Sequence, residues 1–554
     1  MRSIRAVDVK DFAKENAQTS PVHFQRMAKG FIDQLKKKVT ADSSLCIGPA
    51  QLNPLDLLHS ELNLACGRAL MQLDLARKMQ AAHGDHLVWP TGFALGDNWP
   101  FILSIPQRST RLRLYGGLQQ KVSSARAALY QKKTTFQETV VSRKSMARAQ
   151  TNASDQTPFL AFMRESNLVT SALPVMEALK QHYGAYTTFF LPPRAWSQNP
   201  IGSGFPKIIT EPSGPTNRSL LKRLLAFLTT IAPNDSVLDE QQCQLLLHAV
   251  KRTLMIQWNE IFKYLVSVEQ ALQNSRPSCV FIGNPYTLMG RLAARLCVPR
   301  ELPTVCIEHG TIFAEDPSWY DCPIDHHYVT GYPSRDALMS AGVPKESIHI
   351  MGAPHLDDIC QTSKTWSRGQ PRHLLVATSG PGHLVSTEQH RWFIEILFNA
   401  VRRDKNINWS VKLHPKDRSH YYHAEGGPWP DNLTLYGADS GNPASSVFSF
   451  LKDSAGLVTV TSTVALDSML VDVPVITVDV TRGDDQMKGA EYLSERCTMR
   501  VNSADQLYEK SAQLWRGARD SDIDRNMRAY IQRHYVNQGD ATMRVAAHVM
   551  EHLA

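Results

Sequence analysis

The stretch Trp409-Ser-Val-Lys-Leu-His-Pro415 is a short apolar run that stops on a histidine and a proline. Its logic recurs at Gly456-Leu-Val-Thr-Val-Thr-Ser-Thr463, where the run stops on three hydroxyls ahead of Val464-Ala-Leu-Asp-Ser-Met-Leu-Val471. A third run, Pro303–Glu308, stops on Glu308-His309-Gly310. Each reads as a buried strand closed by a polar turn, and Ser462-Thr463 as the start of a helix. The runs are continuous rather than alternating, as expected of parallel strands covered on both faces. Their polar ends then fall together at the carboxyl edge of a sheet, where open α/β sheets bind ligands.

Around these runs, strands expected at 373–378, 409–413, 433–436, 456–460 and 473–478 alternate with helices near 387–403, 445–452, 463–471 and 503–517. Upstream, strands at 159–163, 186–191, 279–283, 303–308, 325–330 and 348–352 alternate with helices near 173–181, 219–231, 238–273, 287–296 and 334–341. The rhythm predicts two α/β domains, 156–360 and 361–554, joined across the polar stretch 362–372. Residues 192–217, with six prolines and three glycines, read as a long irregular loop. Before residue 155 the pattern differs: 55–82 has helical spacing and predicts one long amphipathic helix, and 149–157 reads as a linker. Residues 1–155 are expected as a partly helical, basic accessory region.

The length of 554 residues and 43% hydrophobic content suit two or three globular domains. No apolar run reaches the roughly 18 residues a bilayer crossing needs, and the start lacks a secretion signal, so the expected location is the cytoplasm. Nine scattered cysteines without a Cys-x-x-Cys pair read as reduced, buried thiols. The net charge of +8 is concentrated between Arg108 and Arg148, where ten Lys or Arg face Glu138 alone. That segment suits either a solvated helical face or peripheral contact with anionic lipid at the inner face of the cell membrane. No nucleic-acid motif accompanies it, and no nucleic-acid partner is expected.

The ordered set Glu308-His309-Gly310, the segment Val329–Pro354, Lys412-Leu-His-Pro415 and Thr461-Ser-Thr463 with Ala465-Leu466-Asp467 resembles the GT-B nucleotide-sugar glycosyltransferases. Within them it is similar to the bacterial surface-polysaccharide branch: capsular Kdo transferases, sialyl- and polysialyltransferases, and CDP-glycerol glycerophosphotransferases. The resemblance covers about 275–480, and more loosely 158–540. It implies two Rossmann-like domains facing a cleft, the second for a nucleotide donor and the first for an acceptor. The implied reaction moves a sugar from a nucleotide-activated, CMP-linked donor to a hydroxyl of a capsule or lipopolysaccharide glycan, free or lipid-linked. Alternatives are a glycerol- or ribitol-phosphate transferase, a UDP-N-acetylglucosamine 2-epimerase, and a non-catalytic membrane-associated scaffold.

By that resemblance His414, followed by Pro415, holds the donor phosphate; an imidazole N–H at a strand end can also do so on chemical grounds. Lys412, Thr461, Ser462 and Thr463 join it, the hydroxyls at a helix start beside backbone N–H groups that favour an anion. Ser379, Gly380 and Gly382 form a glycine-bearing turn that lets backbone approach the nucleotide. Glu308 and His309 are the candidates for the base that deprotonates the acceptor, either one serving. Arg482 and Lys488 are further donor contacts. Asp357-Asp358 and Asp484-Asp485 could hold a cation, but no metal and no cofactor are assigned, since a GT-B reaction usually proceeds without one.

Overall fold

The computed structural model describes residues 4–8, 21–48, 50–83, 87–91, 159–191, 205, 207–208, 217–231, 238–310, 312, 319, 321, 323–366, 371–380, 385, 387–414, 417–425, 428–437, 440, 446–480 and 491–553. The basic segment 108–148, the Asp484-Asp485 pair and most of the 192–217 loop lie outside the described residues.

Fifteen described strands, β1 to β15, form three sheets. β1 (Ile4–Asp8) pairs in parallel with β2 (Leu87–Thr91), a pairing of distant segments that no local pattern announced. The second sheet takes β3 (Phe159–Phe162), β4 (Thr187–Phe190), β5 (Lys207–Ile208), β6 (Cys279–Ile282), β7 (Thr304–Ile307), β8 (His326–Val329) and β9 (Ile348–Ile350), in the order β5-β4-β3-β6-β7-β8-β9. The third takes β10 (His373–Ala377), β11 (Trp409–Lys412), β12 (Leu433–Tyr436), β13 (Ser454–Thr459), β14 (Val475–Val478) and β15 (Met499–Val501), in the order β12-β11-β10-β13-β14-β15. In both, the chain starts mid-sheet, winds outward, then returns past its start and winds the other way. This is the doubly wound arrangement, with its switch point between β3 and β6 in one sheet and between β10 and β13 in the other. Two Rossmann-like parallel sheets in succession are the α/β, GT-B composition expected from the sequence.

Burial explains the continuous apolar runs. In β10, Leu374 and Val376 join one hydrophobic cluster while Leu375 and Ala377 join another, so neighbouring side chains serve opposite, covered faces. Each fully buried large aliphatic side chain contributes roughly 1.5–3 kcal/mol.

The chain divides into two compact units: residues 1–328, 335–349 and 546–554, and residues 329–334 with 350–545. The expected boundary at 155 does not separate a region from the first sheet. Phe24, Ile32, Leu35, Leu58, Leu62 and Leu70 from the first 83 residues share one core with Leu160, Phe162, Val280 and Ile282. The expected single helix at 55–82 is broken at Leu58 into Pro54–Leu57 and His59–His83. The longer piece buries His59, Leu62, Asn63, Cys66, Ala69, Leu70 and Leu73 along one face and leaves Leu64 and Arg68 exposed on the other. The eight described cysteines are free and buried. No described helix is long and apolar enough to cross a membrane.

The Asp357 carboxylate accepts N–H bonds from Gly539 and Ala541 on Oδ1 (3.0 and 3.1 Å) and from Thr542 on Oδ2 (2.6 Å). It therefore caps the final helix, Ala541–His552, instead of serving a cation. Among the described residues no three His, Cys, Asp or Glu are grouped to hold a metal ion.

That helix brings His548 and His552 to the edge of the first unit's sheet. His326 Nδ1 lies 2.9 Å from His349 Nε2, and the Tyr328 hydroxyl 2.8 Å from His548 Nδ1; the His349 and His548 ring centroids are 4.5 Å apart. Burial, then the neighbouring histidines, pushes His349 down to about 4 and His327 to about 3. His326 and His548 are lowered too, with Asp325 and Glu551 opposing in part. These folded values lie below the unfolded value near 6.5, so the unfolded chain takes up protons first as the pH falls. Stability is complete above about pH 6.5 and declines by roughly 2–4 kcal/mol on the way to pH 4. Urea denaturation across that range should show the decline, and His349→Gln should flatten it; an identical slope in the variant would contradict the assignment.

Candidate functional site

In the second unit the switch point is built from the turns after β10 and β13. Ser379 Oγ donates to the Thr461 carbonyl, and Thr459 Oγ1 donates to the Ala377 carbonyl at 2.9 Å. The two turns that flank the switch point are thus tied directly to each other. Thr378 N–H donates to Lys412 O at 3.3 Å, which carries the tie across to β11.

His414 follows β11 with its side chain exposed. Its backbone is held at both polar atoms: its N–H donates to Thr378 Oγ1 (3.0 Å), and its carbonyl accepts from Asp417 N–H (2.8 Å). Asp417, 2% exposed, is the centre of this arrangement. Its carboxylate accepts from the Tyr422 hydroxyl (2.9 Å) and from Arg418 N–H (2.9 Å), with His390 Nε2 at 3.2 Å. Burial works to raise its pKa, but hydrogen bonds from His390, Thr378 and Tyr422 outweigh it and hold the carboxyl below the usual range. Gly380 has φ +67°, the left-handed region, and a Cβ there would sit 3.0 Å from Asp417 N. Only glycine fits that turn without strain.

The hydroxyl cluster after β13 is divided in its roles. Ser462 Oγ accepts from Val464 N–H (3.2 Å), and Ser462 N–H donates to the Tyr492 hydroxyl (3.2 Å). Thr463 is exposed and makes no capping bond. The helix it precedes, Val464–Leu470, has seven residues, so Ser462 caps it structurally and its dipole is short. One turn on, burial lifts Asp467 to about 7. Pro415, Gly382, Arg482 and Lys488 lie outside the described residues.

In the first unit the switch point lies between the turns after β3 (Met163-Arg164-Glu165) and β6 (Gly283–Thr287), with Glu308-His309 after the adjacent β7. Gly283 permits a close approach: a Cβ there would fall 2.5 Å from Met163 Sδ. Glu308 is 5% exposed, and its N–H donates to Tyr328 O at 2.9 Å. His309 is half-buried. Burial lowers its pKa and Glu165 opposes in part, so the imidazole is neutral near pH 7. Glu165 and Asn284, which is 8% exposed with Oδ1 lacking a partner among the described residues, complete the set.

Of the sequence-named residues, the structure gathers Ser379, Gly380, Lys412, His414, Thr461, Ser462 and Thr463 at one sheet's switch point, and Glu308 and His309 at the other's. Sequence reasoning missed Asp417, His390 and Tyr422. The Asp417 signal was available as the acid closing His414-Pro-Lys-Asp417, whereas His390 arrives from a helix with no local cue.

No protein-family model matches the chain, and no curated protein matches it. Among solved structures, the chain is similar to the UDP-GlcNAc 2-epimerase from Methanocaldococcus jannaschii at 11% identity and TM-score 0.45, covering 71% of this chain and 99% of that one. A UDP-GlcNAc 2-epimerase from Neisseria meningitidis bound to UDP-GlcNAc gives 12%, 0.44, 71% and 99%. The calicheamicin glycosyltransferase CalG4 gives 16%, 0.43, 72% and 98%.

Truncating Asp417 to Ala strands the buried His390 and Tyr422 groups and should cost roughly 3–5 kcal/mol. Gly380→Ala should cost roughly 1–3 kcal/mol through left-handed strain. Denaturant midpoints at constant m report both; an unchanged midpoint for Asp417→Ala would remove the network from the account.

Proposed function

We propose that the protein is a metal-independent GT-B glycosyltransferase that moves a sugar from a CMP-linked donor to a hydroxyl of a bacterial surface glycan, free or lipid-linked. The observation that supports this most is the locked turn at the second unit's switch point. Ser379 joins its two flanking turns, and Thr378 with Asp417 fixes His414 at both backbone polar atoms while leaving its imidazole exposed. A side chain presented in that way is preorganised to meet a phosphate. The Gly380 turn gives backbone close access to it, and the exposed Thr463 hydroxyl adds a donor.

In this reading the second unit holds the donor and the first holds the acceptor. His309 is the base: it is half-buried and neutral near pH 7, whereas Glu308 is buried. The imidazole takes the proton of the acceptor hydroxyl as that oxygen bonds to the anomeric carbon. The bond from that carbon to the nucleotide phosphate breaks, and the departing negative charge is met by His414.

Thermal unfolding with CMP, CDP or UDP tests the donor half. A ligand at about 100 times its Kd stabilises by roughly 2.7 kcal/mol, a Tm rise of a few degrees. CMP is expected to give the largest rise, and His414→Ala to weaken binding roughly tenfold or more, the loss of one charge-assisted hydrogen bond. No rise with any of the three at millimolar concentration would remove the donor reading.

His309→Ala should lower kcat roughly 10²–10⁴-fold with nucleotide affinity unchanged. If His309→Ala keeps full activity, the base is not His309.

A further inference from the structure

The turn after β6, Gly283–Thr287, carries Asn284 and Tyr286 and lies beside Glu308-His309, because β6 and β7 are paired. Asn284 is more than nine-tenths buried and its Oδ1 has no partner among the described residues, so the turn holds an open hydrogen-bond acceptor. One side of the turn is fixed by the helix that follows it, Leu288–Cys297. Thr287 Oγ1 donates to Asn284 O at 2.9 Å, and a Cβ at Gly290 would fall 2.0 Å from the same carbonyl oxygen. The other side is fixed by Trp319, 5% exposed, whose ring meets Tyr286 in a T-shaped contact with centroids 5.2 Å apart.

What seats Trp319 comes from elsewhere in the sequence. Just beyond it, Asp321 has φ +53°, the left-handed region, which is costly for a residue with a Cβ and persists where the surroundings hold it. Its carbonyl accepts from Arg291 Nη1 at 3.0 Å, and its carboxylate lies 3.6 Å from Lys36 Nζ. Arg291 and Lys36 are both buried, and both turn to Asp56: its Oδ1 is 3.6 Å from Arg291 Nη1 and 3.3 Å from Lys36 Nζ, while Arg295 Nε donates to its Oδ2 at 2.7 Å. Burial works to raise the Asp56 pKa, but Arg295, Arg291 and Lys36 outweigh it and hold the carboxyl at about 2. His59 completes the group, its Nδ1 2.6 Å from Lys36 Nζ. Lys36, Asp56 and His59 belong to three helices, Pro21–Ala41, Pro54–Leu57 and His59–His83.

We propose that Lys36, Asp56 and Arg291 are positioning residues of the first unit's switch point: through Asp321 they seat Trp319 against Tyr286, and so hold the turn that carries Asn284 beside His309. The apolar side chains of the same helices already share the first unit's core, so cohesion does not require the ions. Buried ion clusters add little net stability over apolar side chains of the same volume; what this one supplies is a single geometry. The use of the turn by an acceptor rests on the glycosyltransferase reading; its positioning does not.

Fluorine NMR of the full chain labelled with 5-fluorotryptophan reads the seating directly. Among the ten tryptophans, Trp319→Phe, Trp258→Phe and Trp409→Phe assign three lines. Lys36→Met should shift or broaden the Trp319 line and leave those of Trp258 and Trp409 in place. Asp321→Gly, at an exposed residue, keeps the left-handed turn, removes the carboxylate and should do the same. Amide exchange in the 283–287 turn should quicken roughly tenfold or more in both variants, with Cys279–Ile282 unchanged. An unmoved Trp319 line in either variant overturns the inference, as does unchanged exchange in the turn. Movement of all three lines together also overturns it, since that is what general loosening gives. CMP added to the same samples separates this inference from the donor reading. Its effect on Tm should be equal in wild type and variants, and loss of the effect in the variants alone overturns the inference. No effect in wild type removes the donor reading, and the Trp319 line still decides the positioning.

Discussion

Parallel strands carry no face that can be left to water, and that constraint organises this protein. Leu374 and Val376 serve one covered face while Leu375 and Ala377 serve the other. Polar side chains along the strands are consumed internally: Thr459 donates to the Ala377 carbonyl, and Thr477 hydrogen-bonds Thr498 at 3.0 Å. Chemistry is therefore displaced to the carboxyl-end turns, and the reversal of strand order decides which turns lie apart from one another. That is why Ser379 and Thr461, 82 positions apart, bond to each other, and why the residues able to act are found one or two positions past a strand end.

Buried carboxylates then determine how those turns behave. Asp417 collects donors from His390, Thr378 and Tyr422 and is held in its charged form, so the turn carrying His414 is rigid. Asp467 has burial without such donors, and its pKa rises to about 7. Desolvation is common to both; the number of donors aimed at the carboxylate differs, and so does the result.

Much of the fold was legible because parallel strands print themselves as unbroken apolar runs. Eleven of the described strands were readable to within a residue or two, from Phe159–Phe162 to Val475–Val478. Lys207–Ile208 and Met499–Val501 were not: the first has two residues, too few for a period, and the second is interrupted by the exposed Arg500. The helix expected over 55–82 was legible in part. Its Leu and Cys spacing marked one buried stripe, and the structure keeps it, but that stripe also holds His59 and Asn63, and the break at Leu58 was not visible. At the sites, strand-end residues such as His414 and Glu308 were visible from their position. His390 acts through a contact between distant segments, with Asp417, and nothing in its own neighbourhood marks it.

The bond between Tyr328 and His548 joins residues 220 positions apart. A ribosome adding about 5–20 residues per second needs roughly ten seconds or more to pass from one to the other. During that interval the edge of the first sheet, with His326 and His349 beside it, waits without the helix that covers it. The first unit is thus begun early in synthesis and finished late, after the whole of the second sheet has emerged. Its exposed edge in the meantime is where a chaperone would have most to do.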